Sequence, residues 1–431
     1  MEKRERDSLK NNLRKALKSR DPMRIAAGIN LPSLSQLSSH VMTGSTKGTD
    51  DESDRVVYNE TLLDPSGAEW GPILNALLEA TDAIRQGDAI SCNVAQASLH
   101  AALNHIFGSS TGNILVPALH TVCRNTHRCA ILADQAFVNQ SNWRGEGKRK
   151  VQARNDHARL QSAITLLQES YSKTFNDRKE FVPSAPFGED GSKKAGVLYI
   201  VNHLFSMYFR LNTLRLCKNL LRPVESRKLH EQGSMGERVT YRYYTGRLSM
   251  FEDQYEAAEE YLDYALRHCH KNATWNKKRI LNYLIPIKLV GGRLPTTKLL
   301  EKYSLHEFIP LVNGIRTGDL RTFNEGLLKN QDLFIRRGSY LLLEKAKTLC
   351  YRNLFKRVYK IIGKPFLPLD HVAKSFRWLG MHIDLDEVEC ILANLIAKKY
   401  VRGYISHSKR ILVLSMNNPF PITTVISTKK I

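Results

Sequence analysis

Residues 384–421 read DLDEVECILANLIAKKYVRGYISHSKRILVLSMNNPFP and decide the fold of the C-terminal part of this chain. Asp384 can cap a helix with its carboxylate, and Glu387 sits three residues on, the spacing of a capping box. Val388, Ile391, Leu392, Leu395 and Ile396 recur at i, i+3, i+4, i+7 and i+8, so one helical face is apolar. Lys398 and Lys399 fall in the last turn, where the helix dipole favours cations. Gly403 breaks the pattern. Tyr404–Ser406 and Arg410–Leu414 are strand-like and joined by His407, Ser408 and Lys409, a short basic hairpin. Pro419 and Pro421 prevent regular continuation.

Working upstream, Leu354, Val358, Ile361 and Ile362 make one apolar stripe, followed by Gly363 and Pro365 as stop signals. Leu369, Val372, Phe376 and Leu379 make a second, closed by Gly380. Three helices and a hairpin in about 70 residues is a helix-turn-helix with a wing added. Further upstream, from Ala195, helices come in pairs: Val197–Tyr208 with Leu211–Leu221, Arg238–Met250 with Gln254–Cys269, then Trp275–Leu289, Leu320–Leu328 and Tyr340–Cys350. Small residues Gly246, Ala257, Ala258 and Ala265 sit beside large ones, as in tetratricopeptide-like pairs. The fold class expected is all-α: a TPR-like helical solenoid followed by a C-terminal winged helix.

The expected organisation is an irregular segment with a short surface helix (1–65), an N-terminal helical region (66–194), TPR-like repeats (195–350), the winged helix (351–421) and a tail (422–431). Leu9, Leu13 and Leu17 share a face of the short helix. Thr43–Asp54 and Ser141–Lys150 are polar loops, and Val182–Lys194, with two Pro and two Gly, reads as a linker. Between 70 and 140 the apolar spacing is helical, with Ile73, Leu74, Leu77, Leu78, Leu99, Leu103, Ile106, Leu115, Leu119 and Val122 as candidate core.

No run of 18 apolar residues exists, and the N-terminal stretch lacks the apolar core of a secretory signal. Seven scattered cysteines form no framework and suit reduced thiols of the cytosol or nucleus. The 64 Lys and Arg against 42 Asp and Glu leave a net charge of +22. From Arg336 to the end there are 18 Lys and Arg against 6 Asp and Glu, about +12 of that excess. A basic excess concentrated on one module implies polyanionic partners.

The candidate nucleic-acid contacts are Lys356, Arg357 and Lys360 on the helix before, Lys398, Lys399 and Arg402 at the end of the third helix, and Lys409 and Arg410 on the wing. The third helix itself carries Asp386, Glu387 and Glu389 and no base, so non-specific backbone or single-strand contact is expected, not base readout. A winged helix used only for protein contacts is the competing reading. His120, Cys123 and His127, with Cys129 nearby, have zinc-ligand chemistry but no second ligand pair at finger-like spacing, so they read as a core face and no metal site is expected. No Walker loop, G-x-S-x-G or H-E-x-x-H appears, and no enzyme activity or cofactor is expected. Tyr241, Tyr243, Tyr244, Phe251, Tyr255, Tyr261 and Tyr264 are either repeat core or a groove for an extended peptide.

The strings VTYRYYTGR (Val239–Arg247), EEYLDYALRHCH (Glu259–His270), YRNLFKRVY (Tyr351–Tyr359), DEVECILANLIAKKYVRGYISH (Asp386–His407) and NPFP (Asn418–Pro421) resemble the PCI-domain family, specifically its PCI-domain-containing protein 2 and signalosome-subunit-twelve-like branch. The match runs from about Ala195 to Pro421. The resemblance implies a non-catalytic scaffold subunit, similar to the PCI subunit of the TREX messenger-RNA export complex at the nuclear pore. Its implied partners are a larger PCI-type scaffold subunit, a small acidic disordered proteasome-associated peptide, and RNA or single-stranded nucleic acid, with no membrane. The implied location is nuclear, with some cytoplasmic. The other implication, a protein–protein scaffold of a signalosome-like, proteasome-lid-like or splicing-linked complex, stands beside it.

Overall fold

A computed structural model describes residues 3–31, 34–43, 61–63, 69–110, 112–143, 157–182, 187–188 and 190–421. The helices are α1 (Lys3–Ser19), α2 (Pro22–Gly28), α3 (Leu34–Thr43), α4 (Gly71–Gln86), α5 (Ala89–Ser109), α6 (Val116–Trp143), α7 (Ala158–Phe175), α8 (Val197–Arg210), α9 (Arg215–Ser226) and α10 (Met235–Phe251). They continue as α11 (Tyr255–His268), α12 (Thr274–Val290), α13 (Thr297–Lys302), α14 (Ile309–Thr317), α15 (Leu320–Lys329), α16 (Gln331–Arg337) and α17 (Tyr340–Ile362). After these come β1 (Phe366–Pro368), α18 (Leu369–Trp378), α19 (Leu385–Ala397), β2 (Gly403–Ser406) and β3 (Ile411–Leu414). The expected mostly helical fold with a C-terminal winged helix is what the chain adopts. Two compact units divide between Tyr241 and Arg242, inside α10.

In the first unit, α4 and α5 pack on each other, and α6 packs on α2, α5 and α7. Gly87 adopts the left-handed conformation (φ +75°) that ends α4, and Asp88 then caps α5 through the Ile90 and Ser91 amides. Every core candidate between Ile73 and Val122 is buried. The N-terminal stretch departs from the sequence reading. Its described residues form three helices, α1 to α3, where one short helix was expected, and α1 keeps a charged, exposed outer side while Leu13 and Leu17 are buried on its inner one. Long-range burial supplies what the charged local composition does not. The stretch before α8 departs too. The Asp177 carboxylate accepts from the Ser192 hydroxyl and the Lys193 amide, and Lys193 Nζ donates to the Phe107 carbonyl at 2.6 Å. These bonds tie the Gly- and Pro-rich stretch into the first unit. Of the two polar loops, residues 44–54 and 144–150 lie outside the described residues.

In the second unit, α11 packs on α12, α14 on α15, and α17 on α12, α14, α15 and α16. Gly246 shows why small residues sit in these pairs: a Cβ there would come within 2.7 Å of Leu262 Cγ. The helices read separately as Tyr340–Cys350 and the Leu354 stripe are one continuous helix, α17. Leu342, Leu343, Ala346, Leu349, Cys350, Leu354, Phe355 and Val358 bury one unbroken face, and Gly363 (φ +68°) ends it. The winged helix therefore grows from a repeat helix. Asn353 donates to the Ile315 carbonyl at 2.6 Å, and Arg321 Nε to the Leu379 carbonyl at 2.9 Å.

The sheet is antiparallel in the order β1–β3–β2, with Phe366 opposite Val413 and Val413 opposite Tyr404. Strand β1 is an addition to the expected two-stranded hairpin. Leu367, Leu412 and Leu414 are buried on the sheet's inner face, against helices that include α17, α18 and α19.

Candidate nucleic-acid interface

Arg357 and Lys360 are exposed on the last turns of α17, and Lys356 is half-buried. The C-terminal exit crosses this helix. Arg352 Nη2 donates to the carbonyls of Phe420 and Pro421, both at 2.8 Å, and the Tyr359 and Phe420 rings meet at 5.7 Å. Burial, with Arg352 and Lys360 nearby, holds the Lys356 ammonium below its ordinary value.

Lys398 and Lys399 are exposed at the end of α19, where Lys399 takes a left-handed backbone (φ +61°). Arg402 is exposed at the base of the hairpin. Its amide donates to the Pro419 carbonyl at 2.8 Å, and its carbonyl accepts from Ser415 at 2.9 Å. The exit strand thus links Arg402 to the face of α17 that carries Lys356. Lys409 and Arg410 are exposed at the tip, beyond the Ser406–Ile411 pair. At about 3.4 Å per strand residue, base and tip are roughly 15 Å apart. The predicted cations therefore form two groups. One collects Lys398, Lys399 and Arg402 around the hairpin base, together with Lys356, Arg357 and Lys360 of α17, which the exit links to it, and the other holds Lys409 and Arg410. No carboxylate among the described residues pairs with any of the eight. Lys364, exposed with its ammonium 5.7 Å from the Phe366 ring, adds to the basic surface; it lies just before β1, and only that strand's pairing with β3 brings it beside the hairpin.

Asp384 caps α19 by accepting from the Glu387 amide at 2.7 Å. The solvent side of α19 carries Asp386, Glu387, Cys390 and Asn394 and no cation. His407 Nδ1 lies 2.8 Å from the Glu389 carboxylate and ties the wing to this helix. The charge arrangement suits phosphate contact by helix ends and wing, and does not suit a groove-reading helix.

The other clusters have structural occupations. His120 stacks on Tyr199 at 4.1 Å, His127 Nδ1 meets His203 Nδ1 at 2.9 Å, and the Cys92 and Cys129 sulfurs are 3.8 Å apart, all within the first unit. Among the described residues no three His, Cys, Asp or Glu side chains converge as a metal-binding group. Tyr241, Tyr243, Tyr244 and Tyr255 are core. Tyr261 and Tyr264 instead line a hollow of about 520 Å³ with Glu256, Glu260 and Asp263, under the Arg242 guanidinium. Four carboxylates there, Glu256, Glu259, Glu260 and Asp263, outnumber the guanidinium groups of Arg242 and Arg267, which disfavours an acidic peptide.

Helix pairs running without interruption into a winged helix define a PCI-domain protein, and residues 327–416 match the PCI domain family. The chain is 40% identical over 311 residues to PCI domain-containing protein 2 of Xenopus laevis, covering 72% of this chain and 73% of that one. It is 33% identical over 362 residues to Enhanced ethylene response protein 5 of Arabidopsis thaliana, covering 82% and 81%. It is 33% identical over 344 residues to Protein CSN12 homolog of Neurospora crassa, covering 72% and 73%. The chain belongs to the PCI domain-containing protein 2 and CSN12 homolog family. Among the described residues no helix is long and apolar enough to cross a membrane.

Proposed function

We propose that this chain is a non-catalytic PCI scaffold subunit of a nuclear messenger-RNA export or transcription-coupled complex, whose basic winged helix contributes to a non-specific nucleic-acid platform. The observation that carries this reading is eight cations on the winged helix that pair with no carboxylate among the described residues, in a chain of net charge +22. Unneutralised cations at helix ends and wing attract phosphates regardless of sequence. The mechanism is assembly. A second PCI-type subunit sets its winged helix beside this one, and the two basic faces become one surface. Strand β2 lies at a sheet edge, and an unpaired edge accepts a further strand or another module. A small acidic disordered peptide is drawn to the same excess of charge.

One observation favours a second reading, a protein–protein scaffold of a signalosome-like, proteasome-lid-like or splicing-linked complex. The exposed side of α19 is acidic and the wing is tied to it through Glu389, which leaves no basic groove-reading helix. Filter binding to a single-stranded oligonucleotide across a salt series separates the two, using the chain alone and with its copurified PCI partner. Five phosphate contacts give a log–log slope of about −3.5. Absence of binding at low salt with the partner present supports the second reading and overturns the first.

A further inference from the structure

The register of the small sheet puts two aromatic rings and two cations on one outward face. Phe366, Val413 and Tyr404 lie in one row across β1, β3 and β2. Their row faces away from the helices, since the alternate row, Leu367 and Leu412, is buried. Phe366 is 40% exposed and Tyr404 64% exposed, whereas large aromatic side chains usually hide most of their surface. Two residues along, alternation brings Lys364, Ser415 and Arg402 to the same face. The amide of Ser415 donates to the carbonyl of Arg402, and that of Leu414 to the carbonyl of Pro365, which carries the pairing one step beyond the strands. Lys364 and Arg402 are both exposed. Neighbouring strands are about 4.8 Å apart, so the two rings stand on strands about 10 Å apart, with an apolar valine between them and a row of cations alongside.

We propose that this outer sheet face is a stacking platform for unpaired bases of single-stranded nucleic acid. Bases lie on Tyr404 and Phe366, while Arg402 and Lys364 take the adjoining phosphates. The proposal rests on the nucleic-acid reading above and makes it specific: the ligand is single-stranded, and its bases contact the sheet, not α19. Charge selects the occupant. A purely apolar partner would leave Lys364 and Arg402 facing uncharged surface, whereas a polynucleotide supplies π-faces and phosphates in the same strand. The ammonium of Lys364, now over the Phe366 ring at 5.7 Å, shifts to a phosphate when a base covers that ring.

Fluorescence anisotropy of the full chain with a labelled oligouridylate, and with a duplex of equal length, tests this at low and moderate salt. Tyr404→Ala weakens oligouridylate binding about five- to a hundredfold and leaves the salt slope unchanged. Tyr404→Phe binds as the parent does, and Phe366→Leu, which keeps apolar bulk, loses affinity severalfold. Arg402→Gln lowers the salt slope by about one. Duplex binding is unmoved by the Tyr404 and Phe366 changes. Unchanged oligouridylate binding by Tyr404→Ala, or equal losses on duplex and single strand, overturns the platform while leaving the basic-surface reading intact. Conversion of an oligomer to monomers by Tyr404→Ala in sedimentation, with affinity retained, assigns the face to a protein and also overturns it. A parent chain that binds neither probe at low salt overturns the platform and the reading beneath it.

Discussion

Arg352 holds the C-terminal exit on the winged helix. It is buried, and burial depresses its pKa, yet its guanidinium serves two backbone carbonyls, those of Phe420 and Pro421. Hydrogen bonds from a charged donor are stronger than neutral ones, and a buried carbonyl left unpaired costs its desolvation. Arg352→Met is therefore expected to lower stability by about 2 kcal/mol or more in urea denaturation. A loss below about 0.5 kcal/mol contradicts the clamp. A second residue-scale prediction concerns the first unit's imidazoles. Burial lowers His100 and His203 to about 3, and His120 and His127 to about 4. Each folded value lies below that of the unfolded chain, near 6.5. The unfolded chain then binds more protons than the folded one between pH 6.5 and about 4. Stability is full above pH 6.5 and falls as pH drops through that window, by at most about 1.4 kcal/mol per pH unit for each histidine. A urea midpoint unchanged from pH 7 to pH 5 contradicts this.

Elements differ in how much of themselves the sequence displays. Helix α19 was legible because its signals are local: the Asp384 cap, the apolar stripe ending at Ile396 and the two closing lysines. The hairpin was legible from Tyr404–Ser406 and the strand that follows Arg410. Strand β1 was not, since Phe366–Pro368 is three residues that follow one proline and end in another, and becomes a strand only by pairing with β3. The continuity of α17 was hidden because Arg352 and Asn353 look like a polar break, and both find partners that only the fold supplies. The same limit applied to the site. All eight cations could be named from the sequence, but their division between hairpin base and tip, and the aromatic face beside Lys364, follow from sheet register. Two substitutions test the hairpin and its helix. At Gly403 a Cβ would fall 2.2 Å from the Val413 carbonyl oxygen, so Gly403→Ala forces β2 and β3 apart. Its expected cost is about 1–3 kcal/mol, with faster hydrogen exchange confined to residues 366–414. Asp384→Ala removes one cap at about 1 kcal/mol. Exchange in the sheet unaltered by Gly403→Ala contradicts the close strand approach.

For the whole molecule, the charge and the fold point the same way. Just over half of the cation excess lies from Arg336 onward, and the winged helix within that stretch is rooted in α17, a helix shared with the repeats. A scaffold built this way can present a charged face without chemistry of its own. Reversing Lys398, Lys399, Arg402, Lys409 and Arg410 to Glu tests that claim, because all five are exposed and unpaired among the described residues, so the fold should survive. The decisive measurement is the salt dependence of single-strand binding for this variant beside the parent, with thermal melting as the control. The account predicts a steep slope for the parent, no measurable binding for the variant and closely similar melting. Parent and variant binding alike, with the same slope, would contradict it.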